Sequence, residues 1–533
     1  MSKIQKNTTK KVNTSHSPSL VEKTDLILSH SFTPYVLGAL YFIVMSVISF
    51  SFHKVGDYGV ETDFFWTYVP NAKELAQGIV TIDSFRGPMY PIALAFVEFF
   101  VGDFFISGML LALVSASVFL VLSYKVINSL FNPYIALVVV LVTAANQTFV
   151  QYTYSSGTDM FFNMLAFSAI AMVLIPKSVT LKSVIMAGVF TGLAYLTRYN
   201  GVFLIAGFVI AMLLILRPIQ WKNLALQLGA YIAVFFVVIT PWGLHTLAQK
   251  GSFFFNTNYM NIAYEMYGKG QMSWDQFWYG GGNKEITSLT DLIFRDVGKF
   301  FSHIASNSVD NFGKDVTVLM GSFFGIFIVA GVVSFLIKRP ERKQLSFLIF
   351  NLLFFAILTL VFYSERFSMM LIPFYALLAT YPMYVIYQKS KSGKALIPLF
   401  VVISAVMVGV SFAKSYEFNS QNIDSGPVEI VQVADWYHAN VPTEFKGKKI
   451  ASRKPHIAYY TNMEFELLPM ANSYDELIST LKSKKVDYLY FGMYEAQMRP
   501  EYRALLDITI NPPGLTRVIY SENPRSVLYR IDK

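Results

Sequence analysis

Three carboxylates stand close together in GDYGVETDFFWTYVP, immediately after the first long apolar run: Asp57, Glu61 and Asp63. Acidic groups at a membrane border are electrostatically costly unless they pair with a cation, hold a metal or remove a proton. The plainer alternative is that Asp63 caps a helix while the other two are solvated loop charges. Asp159, in YSSGTDMFFNM, begins a further apolar run after Ser-Gly-Thr, and that pattern points first to a helix N-cap. His53, His245 and His303 match no compact metal-ligand spacing. The chain has no cysteine, so it has no thiolate nucleophile, thiolate zinc site or disulfide framework.

The elements that must position these groups are membrane helices. Of 533 residues, 54% are hydrophobic and 14% charged, against roughly a quarter charged in ordinary soluble proteins. Runs such as GMLLALVSASVFLVLSY and LQLGAYIAVFFVVITPW reach the roughly 17 to 25 residues a spanning helix needs. The net charge of +9 lies largely in short loops between such runs, where it sets orientation and implies no nucleic-acid partner. Basic clusters at Lys177 with Lys182, Arg217 with Lys222, Lys338 to Lys343 and Lys389 to Lys394 mark the cytoplasmic side.

With the N-terminus inside, spans fall near 33–53, 104–124, 134–151, 159–176, 183–197, 200–216, 226–246, 317–337, 345–363, 368–388 and 395–412. The fold class is thus a polytopic α-helical membrane protein of about 11 to 13 spans with a C-terminal soluble α/β domain. Residues 1–30 read as a cytoplasmic disordered tail, 31–414 as the transmembrane domain with external loops 54–103 and 249–316, and 415–533 as an extracytoplasmic α/β domain. Residues 88–101 are treated as re-entrant or interfacial, and 183–216 alternatively as one long tilted helix. Strands are expected in KKIAS, FELLPM, VDYLYFG, TRVIYS and SVLYRI, with a helix starting at the Ser473 capping box. Pro70 should kink or delay the helix that follows Asp63. Loop 249–316 is rich in aromatic residues, suited chiefly to interfacial anchoring, and its Gly280-Gly281-Gly282 suits a turn or a lid.

Several pieces, in order, resemble a family. They are Asp63 with Tyr68, Ala72, Leu75 and Gly78, then Gly87-Pro88-Met89-Tyr90-Pro91, Thr197-Arg198-Tyr199-Asn200-Gly201, and Glu365-Arg366-Phe367 before Pro373. Together with the tail around RKPHIAYYTNMEFELLPM, they resemble GT-C type membrane glycosyltransferases of family 39, the branch of the protein O-mannosyltransferases and the bacterial aminoarabinose transferase of lipid A. The resemblance implies transfer of a sugar from a polyprenyl-phosphate donor to an acceptor hydroxyl on a lipid, polysaccharide or protein. It places the chain among membrane lipids in the bacterial cytoplasmic (inner) membrane, acting on the extracytoplasmic face.

By that resemblance the first external loop holds the catalytic base. Asp63 leads, Glu61 and Asp57 support it, and the choice between Asp63 and Glu61 stays open. Phosphate leaves without a proton at neutral pH, so one carboxylate suffices, and direct displacement inverts the anomeric centre. Arg198, Arg366 and Arg86, in three external turns, suit bidentate contact with the departing phosphate. Tyr68, Tyr90, Asp159, Tyr199, Asn200 and Glu365 complete the expected substrate contacts. No cofactor is required; an Asp and Glu pair could hold Mg or Mn, which a lipid-phosphate donor does not demand. Two other classes compete: a transporter or flippase for a lipid-linked sugar, with charges at mid-bilayer and often repeated halves, and a non-catalytic membrane scaffold.

Overall fold

The computed structural model describes residues 27–216, 220–282, 284–389, 396–441 and 447–532. The expected tail (apart from 27–30) and the basic positions Arg217 and 390–394 lie outside the described residues.

Every expected span meets a helix: Thr33–Phe52, Phe104–Leu130, Pro133–Ala144 with Gln147–Tyr154, Thr158–Leu174, Leu181–Thr197, Phe203–Ile215, Trp221–Lys250, Ser322–Ile337, Arg342–Leu358, Ile372–Lys389 and Ile397–Asp424. Among the described residues, five helices are long and apolar enough to cross a membrane by length and composition, or six if one bent pair counts as a single span. Several others, including Thr158–Leu174 and Leu181–Thr197, are apolar but shorter. Residues 88–101 form the apolar helix Met89–Val101.

Burial separates the inner helices from the outer ones. Thr158–Leu174 is buried on nearly every side, as a helix that is apolar all round must be at the centre of a bundle. It packs against Phe104–Leu130 and Leu181–Thr197, and the latter packs on Trp221–Lys250. Thr33–Phe52 instead leaves Leu40, Ile43, Val44 and Val47 more than half exposed, an apolar surface suited to lipid.

Two breaks in these helices shape the site. Asn146 divides the run 134–151: its side-chain oxygen accepts from the N–H groups of Thr148 and Phe149 at 3.0 and 3.2 Å, and its amide donates to Leu319 O at 2.7 Å. The two halves meet at 64°. The run 183–216 is not one tilted helix. It breaks at Arg198, whose extended backbone (φ −144°, ψ 125°) leads into a 3-10 turn, Tyr199–Val202.

The tail forms the expected strands: β1 (Lys449–Ser452), β2 (Glu464–Leu467), β3 (Tyr488–Gly492), β4 (Leu515–Glu522) and β5 (Arg525–Ile531). Their order is β2-β1-β3-β5-β4, with β1 parallel to both β2 and β3, and β5 antiparallel to β3 and β4. Ser473 caps helix Tyr474–Ser483 by accepting from Glu476 N at 3.2 Å. The last apolar helix continues past residue 414 to Asp424, carrying the chain from the bundle to this sheet.

Candidate active site

Asp63 stands at the head of a helix with a widened turn, Phe64–Tyr68, followed by Val69–Ala76. Pro70 has no N–H to donate to the preceding turn. The wider turn, closed by Val69 N on Phe64 O, lets the helix continue through the proline. The expected interruption is therefore a π turn, not a break.

Three cationic side chains converge here. Arg86 Nη2 lies 2.7 Å from Asp63 Oδ1, and Arg366 Nη2 lies 3.6 Å from Asp63 Oδ2. Arg198 pairs with Asp159 and lies over the rings of Phe162 and Phe367 at 5.9 and 5.1 Å. Burial pushes the Asp63 carboxyl up, but the charges of Arg86 and Arg366, with the Arg86 hydrogen bond, outweigh it and hold the group down at about 2. Asp63 is still 33% exposed, and Arg86 and Arg366 are each 23% exposed. None of the three is sealed in packed protein.

Local packing fixes the arginines. Asp83 binds the Arg86 guanidinium at 3.3 Å, and its other oxygen accepts from Phe85 N and Arg86 N at 2.6 and 2.9 Å. A Cβ at Gly87 would collide with the Leu196 carbonyl, so only glycine lets this turn close against the end of helix Leu181–Thr197. Tyr199 then donates to Arg86 O at 3.3 Å and accepts from Trp242 Nε1 at 3.2 Å. The Tyr68 ring lies 5.4 Å from the Arg86 guanidinium, and the buried Tyr90 ring packs behind Tyr68 at 5.0 Å.

Glu61 and Asp57 are placed differently. Glu61 is fully buried; its carboxylate accepts from Asp57 N at 2.8 Å, from Ser156 N, and from His53 Nε2 at 2.9 Å. Asp57 closes a tight turn, accepting from Gly59 N and Val60 N at 2.6 and 2.7 Å. Asn200 sits in the 3-10 turn with its side-chain oxygen buried. Glu365 begins the short helix Glu365–Ser368 that carries Arg366.

One expectation needs correction. Asp159 does not cap its helix: Thr158–Leu174 starts after Gly157 without a side-chain cap, and Asp159 faces Arg198 instead. The helix does begin at this motif, but the Arg198 guanidinium holds the carboxylate that would have capped it. Glu61, for its part, is turned away from Asp63 onto His53. Among the described residues no group of three or more His, Asp or Glu side chains could hold a metal ion. His245 and His303 instead contact the carbonyls of Val80 and Leu360.

Sequence reasoning missed three residues near this site. Asp83 had a signal, its i,i+3 spacing to Arg86. Tyr152, whose hydroxyl faces Arg366, had only its place in a polar stretch between apolar runs. Lys454 had none: it comes from the tail domain, yet its Nζ donates to Thr62 Oγ1 at 2.8 Å and Tyr58 O at 2.9 Å. Burial and the neighbouring Arg453 charge lower it to about 8, against the pull of Asp63. The same tail stretch packs His456 and Tyr459 on Phe65. The aromatic loop 249–316 mostly fills a core of its own, with Phe277, Met266 and Phe300 buried.

Residues 86–245 match the family model described as dolichyl-phosphate-mannose-protein mannosyltransferase. No curated protein sequence matches the chain. Among solved structures, ArnT from Cupriavidus metallidurans bound to undecaprenyl phosphate superposes with a TM-score of 0.58 at 13% identity, covering 94% of this chain and 98% of that one. The Archaeoglobus fulgidus oligosaccharyltransferase tethered to an acceptor peptide gives 0.58 at 13% identity, covering 95% and 74%. AglB from the same organism, with an inhibitory peptide and a dolichol-phosphate, gives 0.56 at 12% identity, covering 95% and 75%. The GT-C membrane fold and the resemblance to membrane glycosyltransferases read from the sequence are borne out.

Proposed function

On this GT-C scaffold, we propose that the chain transfers a sugar from a polyprenyl-phosphate donor to an acceptor hydroxyl, with Asp63 as the general base. The observation that carries the reading is one partly exposed carboxylate held between two guanidinium groups, Arg86 at 2.7 Å and Arg366 at 3.6 Å. Relatives of the same fold bind undecaprenyl phosphate and dolichol-phosphate, and a lipid phosphate presents the oxyanion that such arginines recognise.

The reaction balances with these groups alone. The acceptor hydroxyl gives its proton to Asp63, its oxygen bonds to the anomeric carbon, and the carbon–oxygen bond to phosphate breaks. The electron pair leaves on the phosphate, which Arg86 and Arg366 stabilise, with Arg198 nearby. With one base and no separate nucleophile, the anomeric centre inverts.

A carboxyl held at about 2 is a weak base. In this reading Asp63 occupies the phosphate's place until the donor arrives. The donor phosphate then takes over the guanidinium groups and returns the carboxyl towards the ordinary value of about 4. Base strength thereby follows donor binding.

The reaction belongs on the extracytoplasmic face of a bacterial cytoplasmic membrane. Support comes from the basic positions gathered at the opposite helix ends, where Lys343 donates to the carbonyls of Leu174 and Pro176. The test is incubation of the purified chain with radiolabelled mannosyl- and aminoarabinosyl-polyprenyl phosphate and a membrane extract. Label should pass to the acceptor fraction with release of polyprenyl phosphate. Donor left intact but moved across a vesicle bilayer would identify a transporter instead.

A further inference from the structure

A second recess, of about 280 Å³, opens between the large loop and the tail domain. It adjoins the Asp63 site along two routes. Tyr279 in its wall stacks on Trp66, at 6.4 Å and 8° between ring planes, one helical turn after Asp63. Arg453, whose guanidinium lies over the Tyr279 ring at 5.7 Å, precedes Lys454, which binds Thr62.

The recess carries uncompensated charge. Arg453 Nη2 and Arg499 Nη2 bind the two oxygens of a single carboxylate, Asp275, at 2.7 and 2.8 Å. All three side chains are at most 10% exposed. Two cations on one anion leave a net positive charge in a poorly solvated place, which is costly unless a further anion arrives. Arg453 also keeps a buried Nε–H with no acceptor. The other charges nearby are already engaged. Lys484 at the rim is paired with Glu466 at 2.8 Å. Glu495 lies outside the recess lining and accepts from the N–H groups of Arg453 and Gly492 at 3.1 and 3.0 Å. The rest of the wall is the apolar stretch Leu467 to Met470 together with Thr480.

We infer that this recess binds an oxyanion, a phosphate or carboxylate carried by the acceptor away from its reacting hydroxyl. The inference rests on the reading of Asp63 as the base, since it takes the recess as the place where the acceptor is held while its hydroxyl reaches Asp63. The donor has its own guanidinium groups at Asp63. The recess instead lies against the tail domain, which suits a ligand arriving from the aqueous side.

The test is calorimetric titration of the full chain with glucose 6-phosphate and with glucose, in nanodiscs of phosphatidylcholine and in nanodiscs that also contain phosphatidylglycerol. Glucose 6-phosphate should bind and glucose should not. Arg499→Gln should weaken the binding tenfold or more. Because that substitution also loosens a buried pair, Met470→Glu provides an independent check: this rim position is 44% exposed, and the new carboxylate repels the ligand without touching the arginines. Arg366→Gln should leave the affinity unchanged. Equal binding in both nanodiscs assigns the oxyanion to a glycan, whereas competition by phosphatidylglycerol assigns it to a lipid headgroup. Affinity unmoved by Arg499→Gln and Met470→Glu, or lost in Arg366→Gln, overturns the inference. If the recess responds as stated but the wild-type chain transfers no sugar, the Asp63 reading fails and the oxyanion site stands.

Discussion

The surroundings of Glu61 and of Asp63 lie two residues apart in the chain and differ in every physical respect. Glu61 is sealed from solvent, and its two oxygens are taken by His53 and two backbone N–H groups. Asp63 is one third exposed and faces two guanidinium groups that are themselves accessible. A buried carboxylate with all its acceptors used cannot exchange partners without leaving donors stranded. An open one can give up its arginines to an incoming phosphate. The same side-chain chemistry therefore serves as a fastener at one position and as a reactive group at the other, and solvent access decides which.

That contrast can be broken most forcefully at the two carboxylates. Asp63→Asn should lower kcat by about 10²- to 10⁴-fold, the range of a lost general base, with the thermal midpoint in detergent nearly unchanged. Glu61→Gln should do the reverse: a loss of about 3 to 5 kcal/mol of stability for a buried pair missing one partner, with near-normal activity in the molecules that remain folded. If Glu61→Gln folds normally and loses transfer, the two roles are exchanged.

Changes at the arginines should have smaller effects. Arg86→Lys or Arg366→Lys should weaken donor binding by roughly tenfold, as expected when one charge-assisted hydrogen bond worth about 1.5 to 3 kcal/mol is compromised. Equilibrium binding of undecaprenyl phosphate would measure it. The smallest effect is a shift in pH dependence. The free chain holds Asp63 at about 2, so kcat/KM should stay level through pH 4. In the donor complex the arginines are occupied and the carboxyl returns upwards, so the acid limb of kcat should appear at higher pH than that of kcat/KM. Coincident acid limbs would mean that donor binding does not release Asp63.

The fold was legible wherever the signal was local. Apolar runs located the helices, alternation located β1 to β5, and Ser473 announced its helix. The break at Arg198 and the glycine at position 87 stand out as motifs, although the reason for Gly87, contact with the Leu196 carbonyl, lies in the tertiary packing. Contacts between distant segments were not legible. Asp275 lies 178 residues from Arg453 and 224 from Arg499, and nothing in its neighbourhood marks it as their partner. The division of labour between Glu61 and Asp63 was hidden for the same reason, because burial under Ser156 and His53 depends on helix packing and not on spacing.

In the proposed mechanism Asp63 competes with the donor phosphate for Arg86 and Arg366. The direct measurement is the affinity of undecaprenyl phosphate for the wild-type chain and for Asp63→Asn. The variant, freed of the competing carboxylate, should bind the lipid phosphate more tightly, by about tenfold, while transfer disappears. Unchanged or weaker binding in a variant that still transfers sugar would contradict it.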